Sequence, residues 1–475
     1  MSDYIHPLTS ALEQYANQPA LISERGFLTY HDLWVRVAQI SAALRSQHVE
    51  QGDTIVLDDL APEEMIPVLW SASICGTVSF PLNTRFPFAT LEKLLGEIEP
   101  KIVIANREFP GNESMSVNQL RSSDAPDMTG EHWDPHAPTT MLMTSGSSGQ
   151  PKIVVHSAAN HISSAAGSNM NIPLEKQDRW MLTLPLYHVG GLSILYRCAR
   201  AGAAVVVPDP STSLGADLRM YSPTHISLVA TQLQRIMDEP DGISALQGLR
   251  AILLGGSSIP RSLVDRALSN DLPIYLSYGS TEMASQVCTT NEQDRETGLL
   301  HSGRILSGRD LIISYEGEIL VKGPTLALGY YNDSEIVDLR DHNGWFHTGD
   351  LGYLEVGGAL TVTGRMDNQF ISGGENIQPE HIERALLTLP DIEEAIVIPQ
   401  GDEDFGARPV AFLTTSATDL SRETLNESLR RSLPGYMIPV AYYHLPMTTQ
   451  PSGIKLSRKD LLDHLIDENN PLQSI

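Results

Sequence analysis

From Thr29 to Leu44 the apolar residues Leu33, Val37, Ile40 and Leu44 recur three or four positions apart, which places them on one helical face. Thr29, with Asp32 three residues on, reads as a helix start related to the capping box. Short apolar runs then alternate with helical patterns: TIVL at 54–57, TVSFPL at 77–82, KIVIA at 101–105, AVVVP at 204–208, HISLVA at 225–230, AILLGG at 251–256 and PIYLSYG at 273–279. That alternation predicts an α/β fold of mostly parallel sheets covered by helices. Near residue 310 the texture changes, and LIISYEGEILVKG and GALTVTGRM predict a β-rich subdomain of hairpins with Glu-Gly and Gly-Gly turns. After Arg365 the pattern becomes a short α+β one. A helix starts after Gln378 with Pro379 first and Glu380 in its first turn, and EEAIVIP and RPVAFLTTS form strands joined by the acidic turn GDEDFG. The expected division is a large N-terminal domain, 1–366, and a small C-terminal domain, 367–475.

Length agrees with two units, since 475 residues exceed what one core organises. The balance of 41% hydrophobic and 19% charged residues is that of a globular protein. A net charge of −26 argues against nucleic acid or an acidic membrane as partner, because phosphate backbones need clustered Lys and Arg. It leaves a nucleotide open: beyond a Debye length of about 8 Å, distant carboxylates are screened and local cations decide. Cys75, Cys198 and Cys288 have neither metal-ligand nor disulfide-framework spacing and read as reduced thiols. MSDYIHPLTS lacks the basic and apolar regions of a signal peptide, and runs such as AAVVV at 203–207 are strand-sized. A cytoplasmic protein without a membrane partner is expected. Homodimers are common among soluble oligomers, and the sequence leaves a homodimer open as the assembly.

The densest chemistry lies in TSGSSGQPK, Thr144–Lys152, directly after the apolar MLM. Thr144, Ser145, Gly146, Ser147, Ser148 and Gly149 are small or hydroxylated, so backbone N–H groups and hydroxyls can close around phosphate oxygens with Lys152 as counter-charge. The glycine spacing, and Ile153 after Lys152, exclude the P-loop pattern. Gly255 and Gly256, followed by Ser257, end an apolar strand where a flat base could approach closely.

TSGSSGQPK resembles the phosphate-binding signature of the adenylate-forming superfamily of acyl-CoA synthetases, luciferases and peptide-synthetase adenylation domains. LPLYHVGG at 184–191, YGSTE at 278–282, TGD at 348–350, GRMDNQFISGGENIQPEHIE at 364–383 and GIKLSR at 453–458 follow in the family's order, and TYHDL at 29–33 and PLNTRFP at 81–87 extend the match. The resemblance implies ATP and coenzyme A as co-substrates and Mg²⁺ as the metal, with a mobile C-terminal domain. It assigns Glu282 to Mg²⁺, Thr144 and Thr281 to phosphate, Tyr278 to the adenine, Asp350 and Arg365 to the ribose, and Gly279 and Ser280 to the ATP site at large. It makes Lys455 the catalytic cation of adenylation, Asp367 the hinge, Gly373 and Gly374 the lining of a coenzyme A tunnel, and His188 a gate contacting the acyl carboxylate. Where many members carry a lysine six residues after the motif arginine, this chain has Ile371.

FISGGENIQPEHIERAL, DEDFGARPVA and GIKLSR are similar to the o-succinylbenzoate–CoA ligases of menaquinone biosynthesis, a branch with a Ser-Gly-Gly segment at that position. Its substrate carries a second, spectator carboxylate, which calls for a cation in the pocket. Arg197, nine residues after His188, is the candidate, set against a surface arginine on the helix that also carries Arg200. The alternatives are a ligase for another aryl or medium-chain acid, an adenylation domain loading a carrier, and a degenerate nucleotide-binding regulator. The last requires loss of Lys455, Glu282 or the phosphate loop, and all three are present.

Overall fold

The helix expected after Thr29 runs Tyr30–Ser46, and Thr29 caps it reciprocally with Asp32: the threonine hydroxyl accepts the Asp32 N–H at 3.1 Å, and the carboxylate accepts the Thr29 N–H at 3.0 Å. Two backbone donors left over by the helix geometry are thereby satisfied. The computed structural model describes residues 5–84, 88–107, 114–120, 133–144, 152–256, 259–415, 417, 420–446, 458–466 and 473–475.

Among those residues the strands form two large mixed sheets. One has nine strands in the order Arg304–Ile305, Ser285–Thr289, Ile274–Ser280, Ala251–Leu254, His225–Leu228, Arg179–Met181, Ala204–Val206, Pro19–Ser23, Gly26–Thr29. Its interior pairs are parallel, and antiparallel strands close both edges. The other has eight strands, with a parallel half around Thr54–Asp58 and an antiparallel half from Pro138–Thr144 through Lys152–Ser157 to Gly329–Asn332. Parallel strands read as continuous apolar runs because helices cover both faces. Ala251 and Leu253 accordingly join the cluster between the two sheets, while Ile252 and Leu254 join the cluster on the far side. The inter-sheet cluster draws in helices Pro7–Tyr15, Tyr30–Ser46, Pro62–Cys75 and Val189–Ala201. Each fully buried residue there, such as Leu44 or Ile55, contributes roughly 1.5–3 kcal/mol by leaving water.

The expected hairpins appear as a four-stranded antiparallel sheet, Asp310–Ile313, Glu318–Lys322, Phe346–Leu354 and Leu360–Arg365. A short 3₁₀ turn, Met366–Asn368, leads into residues whose three-stranded sheet has its own apolar clusters on both faces. The helix Pro379–Leu386 begins after Gln378, and strands Ile392–Asp402 and Gly406–Thr415 pair antiparallel across the acidic turn. Gln378 Nε2 donates to the Arg365 carbonyl at 2.8 Å, and Arg384 donates to the carbonyls of Val362 and Thr363 at 3.2 and 3.0 Å. Among the described residues no helix is long and apolar enough to cross a membrane.

Candidate active site

Strands Ala251–Leu254 and Ile274–Ser280 run parallel and end side by side. A side chain at Gly255 would bring its Cβ to 2.5 Å from the Ser277 hydroxyl, and one at Gly279 to 2.0 Å from the Ser285 carbonyl. Both positions need glycine because neighbouring chain already fills the space. After Ser280 the chain turns back into Ser285–Thr289, so Thr281 and Glu282 sit in the connection.

Tyr278, Asp350 and Arg365 come together across 87 residues of sequence. The Tyr278 hydroxyl donates to Asp350 Oδ2 at 2.7 Å, and Arg365 Nη1 donates to Oδ1 at 2.9 Å. Asp350 and Arg365 are register partners on one hairpin, which fixes the ion pair. Burial pushes the Asp350 carboxyl up from its ordinary value, against the Tyr278 and Arg365 contacts, and pushes the Tyr278 hydroxyl well up, keeping it a donor. Each Asp350 oxygen retains a lone pair for a further hydroxyl. Behind it, the Thr348 hydroxyl accepts the Asp350 N–H at 3.0 Å, and Glu318 accepts the Gly349 N–H at 2.9 Å. Arg365 Nη2 also reaches Asp367 at 3.2 Å, so the expected hinge residue touches the tyrosine–aspartate–arginine cluster.

Thr144 and Lys152 are cross-strand partners that flank the segment expected to bind phosphate. Ser145, Gly146, Ser147, Ser148 and Gly149 lie outside the described residues, as do Ser257 and Lys455. The Lys152 ammonium stands 4.9 Å from the centroid of the Tyr330 ring, and the Tyr330 hydroxyl donates to Glu282 Oε1 at 2.8 Å. His156, on the same strand as Lys152, donates from Nε2 to the Thr281 carbonyl at 2.7 Å. Its ring lies 4.9 Å from that of His161, whose Nε2 meets the Thr140 hydroxyl at 2.8 Å on the strand leading to Thr144. Burial lowers the His156 imidazole to about 4 and holds His161 well below its usual value, so both are neutral. Tyr330, His156 and His161 were missed in the sequence. The signals available were a tyrosine in GYYND and two histidines amid apolar runs, neither distinctive without the fold.

Glu282 is half-buried, forms no ion pair among the described residues, and stands where no cluster of three or more His, Cys, Asp or Glu is found among them. One carboxylate alone suits Mg²⁺, which takes few protein oxygens and completes its shell with substrate phosphates and water.

His188 is exposed at the start of helix Val189–Ala201, its ring edge-on to Tyr187 at 4.7 Å. Arg197 is not a surface residue: it is 1% exposed, which overturns that alternative. Its Nη2 donates to the Ser285 hydroxyl at 3.1 Å, its guanidinium lies 5.1 Å from the centroid of the Trp180 ring, and its buried Nε has no partner. It pairs with no carboxylate among the described residues, and burial, then the nearby Arg309, lowers it to about 9. Ser285 follows Glu282 by three residues, so the Arg197 head abuts the turn carrying the Mg²⁺ candidate. Gly373 and Gly374 form a two-residue turn with φ of 57° and 86°, and Gly373 packs on Phe405.

The family description "AMP-binding enzyme" matches residues 8–331 and "AMP-binding enzyme C-terminal domain" matches 381–450. The 2-succinylbenzoate–CoA ligase of Salmonella typhimurium is 34% identical over 444 residues, covering 93% of this chain and 94% of the relative. The o-succinylbenzoate CoA synthetase of Bacillus subtilis with the acyl-adenylate intermediate OSB-AMP superposes with a TM-score of 0.87 at 28% identity, covering 97% and 98% of the two chains. The same enzyme with ATP and magnesium ion gives 0.86 at 28% identity, covering 97% and 100%. The tyrosine–aspartate–arginine cluster, the glycine-ended strands and the loop base thus stand in a chain that belongs to the AMP-binding enzyme family.

Proposed function

We propose that this chain is an AMP-forming acid–thiol ligase. It adenylates 2-succinylbenzoate and passes the acyl group to coenzyme A, giving 2-succinylbenzoyl-CoA, AMP and pyrophosphate in menaquinone biosynthesis. The observation that carries the choice of acid is Arg197: a buried guanidinium with an unpartnered Nε and no carboxylate beside it among the described residues. A buried unpaired cation is costly, and a substrate's spectator carboxylate offsets that cost. The relatives' names supply the same acid.

In the first half-reaction a carboxylate oxygen of the acid attacks the α-phosphorus of ATP, and the bond to pyrophosphate breaks. Thr144, Lys152 and Thr281 hold phosphate oxygens, and Ser145–Gly149 belong to the same ATP-binding set. Glu282, oriented by Tyr330, would hold Mg²⁺, and the metal would supply charge neutralisation for the phosphates. Asp350 and Arg365 hold the ribose, and Gly255, Gly256 and Tyr278 border the base. Lys455 bridges the carboxylate and α-phosphate. In the second half-reaction the thiol sulfur attacks the acyl carbon and AMP leaves, after the domain at 367–475 has rotated about Asp367 to bring Gly373–Gly374 to the adenylate. A cytoplasmic location and a homodimer belong to the same reading, and light scattering tests the second.

The experiment is a panel of acids followed by AMP release with and without coenzyme A. We expect the highest kcat/KM for 2-succinylbenzoate and poor turnover of 4-oxo-4-phenylbutanoate, which lacks the ring carboxylate. Sites built around a polar group reject analogues lacking it by roughly 10⁴–10⁵. Arg197→Ala damages the diacid far more than the monoacid. Faster turnover of benzoate, coumarate or a fatty acid overturns the substrate while leaving the ligase chemistry.

A further inference from the structure

Arg309 lies far from every motif above, yet its side chain is buried next to the Arg197 site. Its Nε donates to the Gln286 carbonyl at 2.6 Å, its Nη1 to the Ser307 carbonyl at 2.8 Å, and its Nη2 to the Ser164 hydroxyl at 3.2 Å. All three acceptors are neutral, and no carboxylate pairs with Arg309 among the described residues. Room for the guanidinium is made inside helix Ala158–Asn171 by Gly167, where an added Cβ would fall 2.3 Å from Nη1. Glycine in a helix interior costs about 1 kcal/mol, so the space is kept at the expense of local stability.

The two guanidinium groups dock on successive residues of one strand, Arg197 on the side chain of Ser285 and Arg309 on the carbonyl of Gln286. Consecutive Cα atoms lie about 3.8 Å apart, and the Arg309 charge is near enough to act on Arg197. Gln286 itself keeps a buried Oε1 with no partner. Burial and mutual repulsion push Arg197 down, and burial pushes Arg309 down to about 10, as expected for two cations enclosed without an anion.

We infer that Arg309 is a second specificity-determining cation, which acts through space to set the preference for an acid bearing a spectator carboxylate at Arg197. The inference rests on the substrate reading above and adds a residue that need not touch the substrate. A unit charge about 10 Å away at an effective dielectric of about 20 changes an anion's affinity on the order of tenfold.

The test compares kcat/KM for 2-succinylbenzoate and 4-oxo-4-phenylbutanoate in the wild type, Arg309→Gln, Arg309→Lys and Gln286→Glu. Arg309→Gln should cut the diacid-to-monoacid ratio about tenfold, while Arg309→Lys, which keeps the charge and disrupts the clamp, should hold it within about threefold. Gln286→Glu adds a buried negative charge on the residue whose backbone carbonyl holds Arg309, and leaves that backbone contact in place. It should lower the ratio by a similar factor, and it keeps the question answerable if Arg309→Gln does not fold. Equal loss on both substrates in Arg309→Gln, equal collapse of the ratio in Gln and Lys variants, or an unchanged ratio in Gln286→Glu overturns the inference. A wild type that does not prefer the diacid overturns the substrate reading instead.

Discussion

His156→Gln should change how stability depends on pH more than it changes stability itself. The imidazole is fully buried, donates from Nε2 to the Thr281 carbonyl, and has an unpartnered Nδ1. Its folded value is lowered from 6.5 to about 4, first by burial. A depressed folded pKa means that the unfolded chain binds the proton more readily. The histidine's contribution is therefore intact above about 6.5 and is lost as pH falls toward 4. From about pH 7.5 to 5 the unfolded chain takes up most of a proton here and the folded protein almost none, a loss of about 2 kcal/mol. Glutamine can still donate to Thr281 but cannot titrate, so at about pH 7.5 it should cost no more than about 1 kcal/mol. Urea unfolding of both proteins across this range should show the gap closing by about 2 kcal/mol and changing sign at about pH 6. His161, also buried and neutral, remains in both proteins and contributes its own acid sensitivity to each. A gap that stays constant or widens on acidification would refute the reasoning, since it would mean that His156 is not held neutral.

Two further outcomes follow from the site. Lys455→Ala should slow adenylate formation by roughly 10²–10³ and leave thioester formation from supplied acyl-adenylate nearly intact; equal loss in both half-reactions, measured by pyrophosphate exchange and by thioester assay, removes the two-state division of labour. Glu282→Gln keeps the shape and removes the charge, so the Mg²⁺ titration of rate should shift to higher concentration, with Tyr330→Phe producing a smaller shift in the same direction through the lost 2.8 Å bond; an unchanged titration in Glu282→Gln takes that residue out of the metal site.

What the sequence determined by itself is what short-range chemistry determines. The capping pair Thr29–Asp32, the strand runs, the Glu-Gly and Gly-Gly turns and the start at Gln378–Pro379 each depend on neighbours a few residues apart, and each was readable at that scale. The phosphate-loop segment and the YGSTE and TGD motifs were likewise contiguous. Periodicity failed at helix Val189–Ala201, where every residue from Gly191 to Ala199 is buried. A helix covered all round has no polar face to set against an apolar one, so its pattern could not say whether Arg197 pointed to water or to the interior. Only the packing of Trp180 and Ser285 against it decided that. The same holds for His156 with Thr281 and Tyr330 with Glu282, which stand 125 and 48 residues apart in the chain. A side-chain pattern reports which face of an element is apolar; which distant polar group meets a buried imidazole, hydroxyl or guanidinium is settled when the elements pack, because only then must each desolvated group find its partner.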